Sequence, residues 1–171
     1  MSACSNPVSF RSVVILACGN LKQMIHIMQT SGDLIITFIR IIAGVIIFPY
    51  GMQKLFGWFD DLGGGVGIKA SLRSFQEKKI PLFIAWLVIL GQSIGSIMLL
   101  IGLAGRVAAF FNFLIFSGAL AVHFSEGWSM NWTGKKQGEG IEYFIMLLAL
   151  LLVVILKGSG GLSVDYWLFS Q

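Results

Sequence analysis

Four long apolar runs, separated by polar and glycine-rich connections, dominate the chain. The first is Leu34 to Tyr50 (LIITFIRIIAGVIIFPY), interrupted by Arg40, closing at a proline-bearing FPYG and trailing an apolar tail from Leu55 to Phe59. The second, Pro81 to Gly102, carries one strongly polar residue, Gln92; the third, Val107 to Phe124, ends in His123; the fourth, from about Gly140 to Leu156, opens with Glu142. A bilayer core about 30 Å thick is crossed by about 20 helical residues at ~1.5 Å each, so each run is long enough or nearly so. A spanning segment must satisfy its own backbone, as a helix or as a strand of a closed barrel. Barrel strands alternate apolar and polar residues, whereas LLALLLVVIL is apolar on every face. The pattern predicts an all-α membrane protein, a bundle of four transmembrane helices.

The connections refine this picture. Gly51 to Ile80 holds GGGVG at Gly63 to Gly67, which lacks the lysine and the serine or threonine of a phosphate-binding loop and follows no strand. After it, Ile68, Leu72 and Phe75 interleave with Lys69, Arg73, Lys78 and Lys79, the pattern of a helix lying in the membrane interface and favouring an anionic leaflet. Before Leu34, the run VVILACG is too short for a secretory h-region, and its resemblance to a lipoprotein processing site at Cys18 is loose. Residues 1–33 therefore read as a disordered or interfacial extension, with Met1, Met24 and Met28 as alternative starts, residues 34–165 as the membrane domain, and 166–171 as a short tail.

Composition agrees with lipid as the solvent: 56% of residues are hydrophobic and 12% charged, about half the ~25% charged share of a soluble domain. Disorder is excluded by the same figures. The net charge of +4 invites a nucleic-acid reading, but the twelve basic residues lie thinly between apolar runs and form no stripe. Cys4 and Cys18 both precede the spans, so neither a disulfide framework nor a metal site is expected. With four spans, the loops after the first and third carry seven Lys and Arg, against four on the side of the termini. The positive-inside rule then places those two loops in the cytoplasm of a multi-pass inner-membrane protein.

An ionisable group inside a membrane is costly and marks candidate chemistry. Topology sorts these groups into two layers. Tyr50, Lys54, His123 and Glu142 fall near the level of the first and third loops, where a cation, an imidazole, a carboxylate and a phenol make a candidate ligand or proton site. Each also has an ordinary structural reading, as an interfacial anchor or as an anion at a helix N-terminus. A second candidate layer holds Arg40, Arg106 and Asp165 toward the opposite face, with Gln92 near the midplane. Arg40, ~9 Å inside that face, must find Asp165, Gln92, a lipid phosphate or a ligand. Gln92 lies among Gly91, Ser93, Gly95 and Ser96, small residues that let helices approach closely, so helix packing is its default role.

The ordered motifs resemble the DoxX family of small four-helix membrane proteins, related to the DoxD subunit of thiosulfate:quinone oxidoreductase. RIIAGVIIFPYGMQKLFG resembles its first helix, with Gly51 and Lys54 in the expected places. GQSIGSIMLLIGLAGRVAA resembles the second helix and turn, HFSEGW the end of the third, and GIEYFIMLLALLLVVILKGSGGLSVD the last helix with its glycine-rich terminal signature. The chain departs from the family pattern at Tyr50, where histidine is frequent, and at Gln92, where glutamate is common; both changes remove a titrating group. The resemblance implies association with redox or sulfur metabolism, a sulfur-transfer or redox partner protein, and a quinone as the one cofactor to expect, since no haem-ligand pair or cofactor fingerprint is evident. The expected function is a membrane subunit or accessory of a redox, sulfur-oxidation or oxidative-stress assembly, with self-association left open. A small-solute or proton-linked transporter and a noncatalytic scaffold are the alternatives.

Overall fold

The computed structural model describes residues 33–59, 66–130 and 140–169. The N-terminal extension with its Cys4, Cys18 and start-codon readings, most of GGGVG, and Lys135 and Lys136 lie outside the described residues. Among those described there are helices and no strand: α1 (Leu34–Phe56), α2 (Gly67–Glu77), α3 (Leu82–Ile101), α4 (Gly105–His123), a 3₁₀ turn (Phe124–Glu126), α5 (Glu142–Lys157) and α6 (Val164–Phe169).

Helix boundaries follow local chemistry. Asp33 caps α1, its carboxylate accepting from Ile35 N at 2.8 Å, which occupies a backbone donor that the first helical turn leaves orphaned. The helix does not stop at the proline motif. Pro49 sits inside it, and α1 absorbs the apolar tail as far as Phe56 before Gly57, at φ 78°, ends it. Proline breaks helices in water but is tolerated in apolar spans, where neighbouring groups satisfy the freed backbone. Pro81 precedes α3 and Gly102, at φ 72°, terminates it.

Among the described residues three helices are long and apolar enough to cross a membrane: α1, α3, and α4 with its 3₁₀ extension. The residues turned outward on them are large and apolar, among them Phe38, Val45, Phe83, Leu87, Ile94, Phe111 and Leu114. In water such a surface would drive aggregation; in lipid it is the ordinary exterior. α5 has 16 residues, ~24 Å at helical rise, and packs on α4 and α1.

The interior is built on small residues. α1 and α3 make the most extensive contact, and Gly51 lies against the α3 backbone so closely that an added Cβ would stand 2.7 Å from Ser93 Cα and 2.8 Å from the Gln92 carbonyl carbon. Ser93 Oγ, at that crossing, donates to Gly51 O at 2.9 Å. Where hydrophobicity cannot draw helices together, such close backbone approach supplies dispersion contacts instead. Ala43, Ile47, Leu99, Ala109, Phe116, Leu147 and Leu151 fill the rest of the core.

Candidate functional site

The two polar layers expected from the sequence occupy opposite ends of the bundle, and they are built differently. At the end holding Arg40, the two buried charges are met mainly by backbone. The Arg40 side chain, 1% exposed, donates from Nε to Ser159 O at 2.7 Å, from Nη1 to Leu99 O and to Leu100 O (2.9 Å), and from Nη2 to Leu162 O at 2.6 Å. Leu99 and Leu100 belong to the last turn of α3, whose carbonyls lack helical partners and carry the negative end of the helix dipole. Asp165 does the converse. Its oxygens accept from Ala104 N at 2.6 Å and Gly105 N at 2.9 Å, the donors that open α4. Ala104 holds φ 46°, a left-handed conformation costly for a residue with a side chain, and the carboxylate anchors it.

Among the described residues Arg40 therefore makes no direct ion pair with an acidic side chain: four carbonyls take up four of its five N–H donors. Arg106 is half-buried on the first turn of α4. Gly102 completes the joint, since an added Cβ would lie 2.8 Å from Arg40 Nη1. Gln92 stands apart from this group, on the buried stripe of α3 with Ala85, Ile89, Ser96 and Leu99.

At the other end, α1, α5 and α4 contribute a continuous row of rings. Lys54 Nζ lies 5.7 Å from the Tyr50 ring centroid, within reach of a cation–π attraction. Tyr50 neighbours Tyr143 at 5.9 Å, Tyr143 meets Phe144 edge-on at 5.4 Å, and Phe144 stacks on His123 at 5.4 Å with 15° between planes. His123 Nδ1 lies 2.8 Å from Glu126 Oε1, near enough for an ion pair when the imidazole is protonated but off the line of a sound hydrogen bond. Lys54 donates weakly to Tyr50 O at 3.4 Å, and among the described residues no carboxylate pairs with it. The buried Tyr143 hydroxyl faces the phenol of Tyr50, though not in the geometry of a well-formed hydrogen bond.

Tyr50, Lys54 and His123 thus join one row, through Tyr143 and Phe144. Glu142 turns elsewhere: its Oε2 accepts from Met130 N at 3.4 Å, while Glu142 N donates to Trp128 O at 3.0 Å. It fastens the loop that leads into α5. Sequence reasoning passed over Tyr143 and Phe144, which directly follow Glu142 at the start of the fourth run, and Glu126, whose i+3 spacing from His123 was a usable signal. It also passed over Asn112, the single amide within the apolar run of α4. Asn112 is fully buried and donates to Ala108 O at 2.9 Å and Gly91 O at 3.3 Å, and among the described residues neither its Oδ1 nor Gln92 Oε1 has a hydrogen-bond partner. No group of three His, Cys, Asp or Glu that could hold a metal gathers among the described residues.

The DoxX family model matches residues 35–125, just over half of the chain, from the first turn of α1 into the 3₁₀ turn, ending one residue before Glu126. A relative from Bacillus subtilis (strain 168), described as "Putative oxidoreductase CatD", is 23% identical over 142 residues, covering 83% of this chain and 92% of the relative. No solved structure matches the chain. With apolar helices of spanning length, a matched segment that contains Arg40, Gly51, Lys54 and His123, and a relative aligned over most of both lengths, this chain belongs to the DoxX family of membrane proteins.

Proposed function

We propose that this DoxX-family protein is a membrane-embedded subunit or accessory of a redox assembly, and that the row from Lys54 to His123 takes up a quinone head group or a small anion. The observation that carries the reading is Lys54: a half-buried cation on a spanning helix, without a carboxylate partner among the described residues, beside a run of aromatic faces. Such a charge is expensive in lipid unless a ligand or water offsets it. Lys54 keeps N–H donors beyond its weak bond to Tyr50 O, suited to carbonyl or anionic oxygens, and the partly exposed rings of Tyr50 and Tyr143 offer surfaces to a flat conjugated ring. A bound quinone would supply the two-electron redox chemistry that these side chains lack. The relative's description as an oxidoreductase agrees with this reading.

In the same reading α5 crosses as a fourth transmembrane helix, α2 lies in the interface, and the row sits at the cytoplasmic side of an inner membrane. The test uses the full chain in nanodiscs, titrated with a short-chain quinone and, separately, with thiosulfate. Saturable binding is expected, weakened about tenfold or more in Lys54→Gln, as befits loss of a charged hydrogen bond worth ~1.5–3 kcal/mol. If native protein binds neither probe, or the variant binds as well as the native chain, the reading fails.

A second reading, passage of a small solute, is favoured by the unpaired amide oxygens of Gln92 and Asn112 inside the bundle. Proteoliposomes that stay impermeable to protons and to a panel of small anions would remove it.

A further inference from the structure

We propose that the outward face of α2 and the turn into α3 form a docking surface for acidic phospholipid headgroups. α2 packs against α1 and α3 and turns Ile68, Ser71, Leu72 and Phe75 inward, while Lys69, Arg73, Gln76 and Glu77 remain exposed, followed by exposed Lys78 and Lys79. Lys69 and Arg73 stand four residues apart, hence side by side on one face, ~6 Å between their Cβ atoms. Lys79 turns the chain with φ 57°, which brings the second basic pair to the entry of α3.

Among the described residues no carboxylate pairs with any of these cations. Glu77, one turn beyond Arg73, forms no ion pair with it. The connection as a whole also carries Asp60 and Asp61, so the inference rests on where the exposed cations stand rather than on net charge.

What lies beside them selects the partner. Phe56 and Trp58, stacked at 5.4 Å, close the end of α1, and Leu82, Phe83 and Trp86 open α3, all with exposed side chains. Cations therefore border an apolar belt at the end of two spanning helices. An acidic soluble partner would answer the charges and leave the rings in water. A leaflet answers both, because phosphodiesters meet the ammonium and guanidinium groups while rings and methylene stems settle at the level of the glycerol and upper acyl chains. Net negative headgroups are preferred over zwitterionic ones, whose own ammonium competes with the lysines.

Lys78 lies within electrostatic reach of Lys54, so the test reads lipid selectivity rather than quinone or anion binding, and the K69Q/R73Q variant leaves that neighbour in place. Full-length protein is reconstituted in bilayers containing spin-labelled phosphatidylglycerol or spin-labelled phosphatidylcholine, and the motionally restricted fraction of each is compared. The native chain is expected to favour phosphatidylglycerol by about fivefold, the worth of one surface cation near an anionic leaflet. Raised salt should reduce that preference. It should fall toward unity in K69Q/R73Q/K78Q/K79Q and partly in K69Q/R73Q and K78Q/K79Q, which guard against misfolding of the quadruple variant, and should persist in Lys157→Gln at the opposite end. Equal association of both lipids with the native chain, or a preference undiminished in all three basic-residue variants, overturns the proposal. So does poly-glutamate binding to the protein in phosphatidylcholine bilayers without any phosphatidylglycerol preference, which would assign the surface to an acidic polypeptide.

Discussion

Arg40 and Asp165 are both buried and oppositely charged, yet among the described residues they form no direct ion pair: Ser159 stands between them, accepting from Arg40 Nε through its carbonyl at 2.7 Å and donating its hydroxyl to Asp165 Oδ2 at 2.5 Å. Each charge is spent on the opposite kind of helix end. The guanidinium meets carbonyls at the C-terminus of α3, and the carboxylate meets amides at the N-terminus of α4. The turn between these helices is thereby clamped to α1 on one side and to the C-terminal segment on the other.

Replacing Arg40 leaves the carbonyls of Leu99, Leu100, Ser159 and Leu162 without their charged donor. Unmet buried polar groups cost about 1–3 kcal/mol each, so Arg40→Leu is expected to lose at least about 3 kcal/mol and much of its folded yield. Arg40→Lys should recover part, since an ammonium has donors but no planar fork. Thermal unfolding in detergent, followed by monodispersity, reads the order native, Lys, Leu.

Asp165→Ala should also destabilise, because two opening donors of α4 and the strained Ala104 lose their acceptor. Ser159→Ala removes one hydroxyl bond to that carboxylate and keeps the carbonyl that serves Arg40, so it should cost about 1 kcal/mol. Equal losses for the two variants would show that the carboxylate does not hold the turn.

Gly51→Ala should force α1 and α3 apart, since the obstacle is α3 backbone rather than a flexible side chain; overpacking of this kind costs about 1–3 kcal/mol. Gly118→Ala meets nothing within 4 Å and should be neutral, or stabilising by up to ~1 kcal/mol through helix propensity. Denaturation curves of the two variants should diverge in sign or clearly in size.

Lys54→Gln and Glu142→Gln separate ligand binding from loop fastening. The first should weaken quinone or anion binding and leave stability nearly intact. The second weakens a carboxylate's hold on Met130 N and its dipole interaction, worth ~0.3–1 kcal/mol, so binding should persist while proteolysis at the 127–130 loop quickens. The reverse pattern would move the site to Glu142.

The sequence by itself determined the solvent and the helices. A run such as LLALLLVVIL is apolar on every face, and hydrophobic length is a local property, so three spanning helices and the 16-residue α5 were legible within a few residues. The extension of α1 past Pro49 was not, because lipid and neighbouring helices tolerate a proline that a local rule treats as a stop. Arg40, Lys54 and His123 could be singled out because ionised or polar side chains are rare in such runs. Their partners could not. Arg40 is satisfied by carbonyls lying from 59 to 122 positions away, and a backbone carbonyl carries no side-chain signature to read. Tyr143 and Phe144 likewise acquire meaning only when α5 is laid between Tyr50 of α1 and His123 of α4. Tertiary structure alone decided that one buried charge is a joint between helix ends while another, Lys54, is left facing rings without an acid among the described residues, since burial and pairing depend on what distant segments bring to the same place.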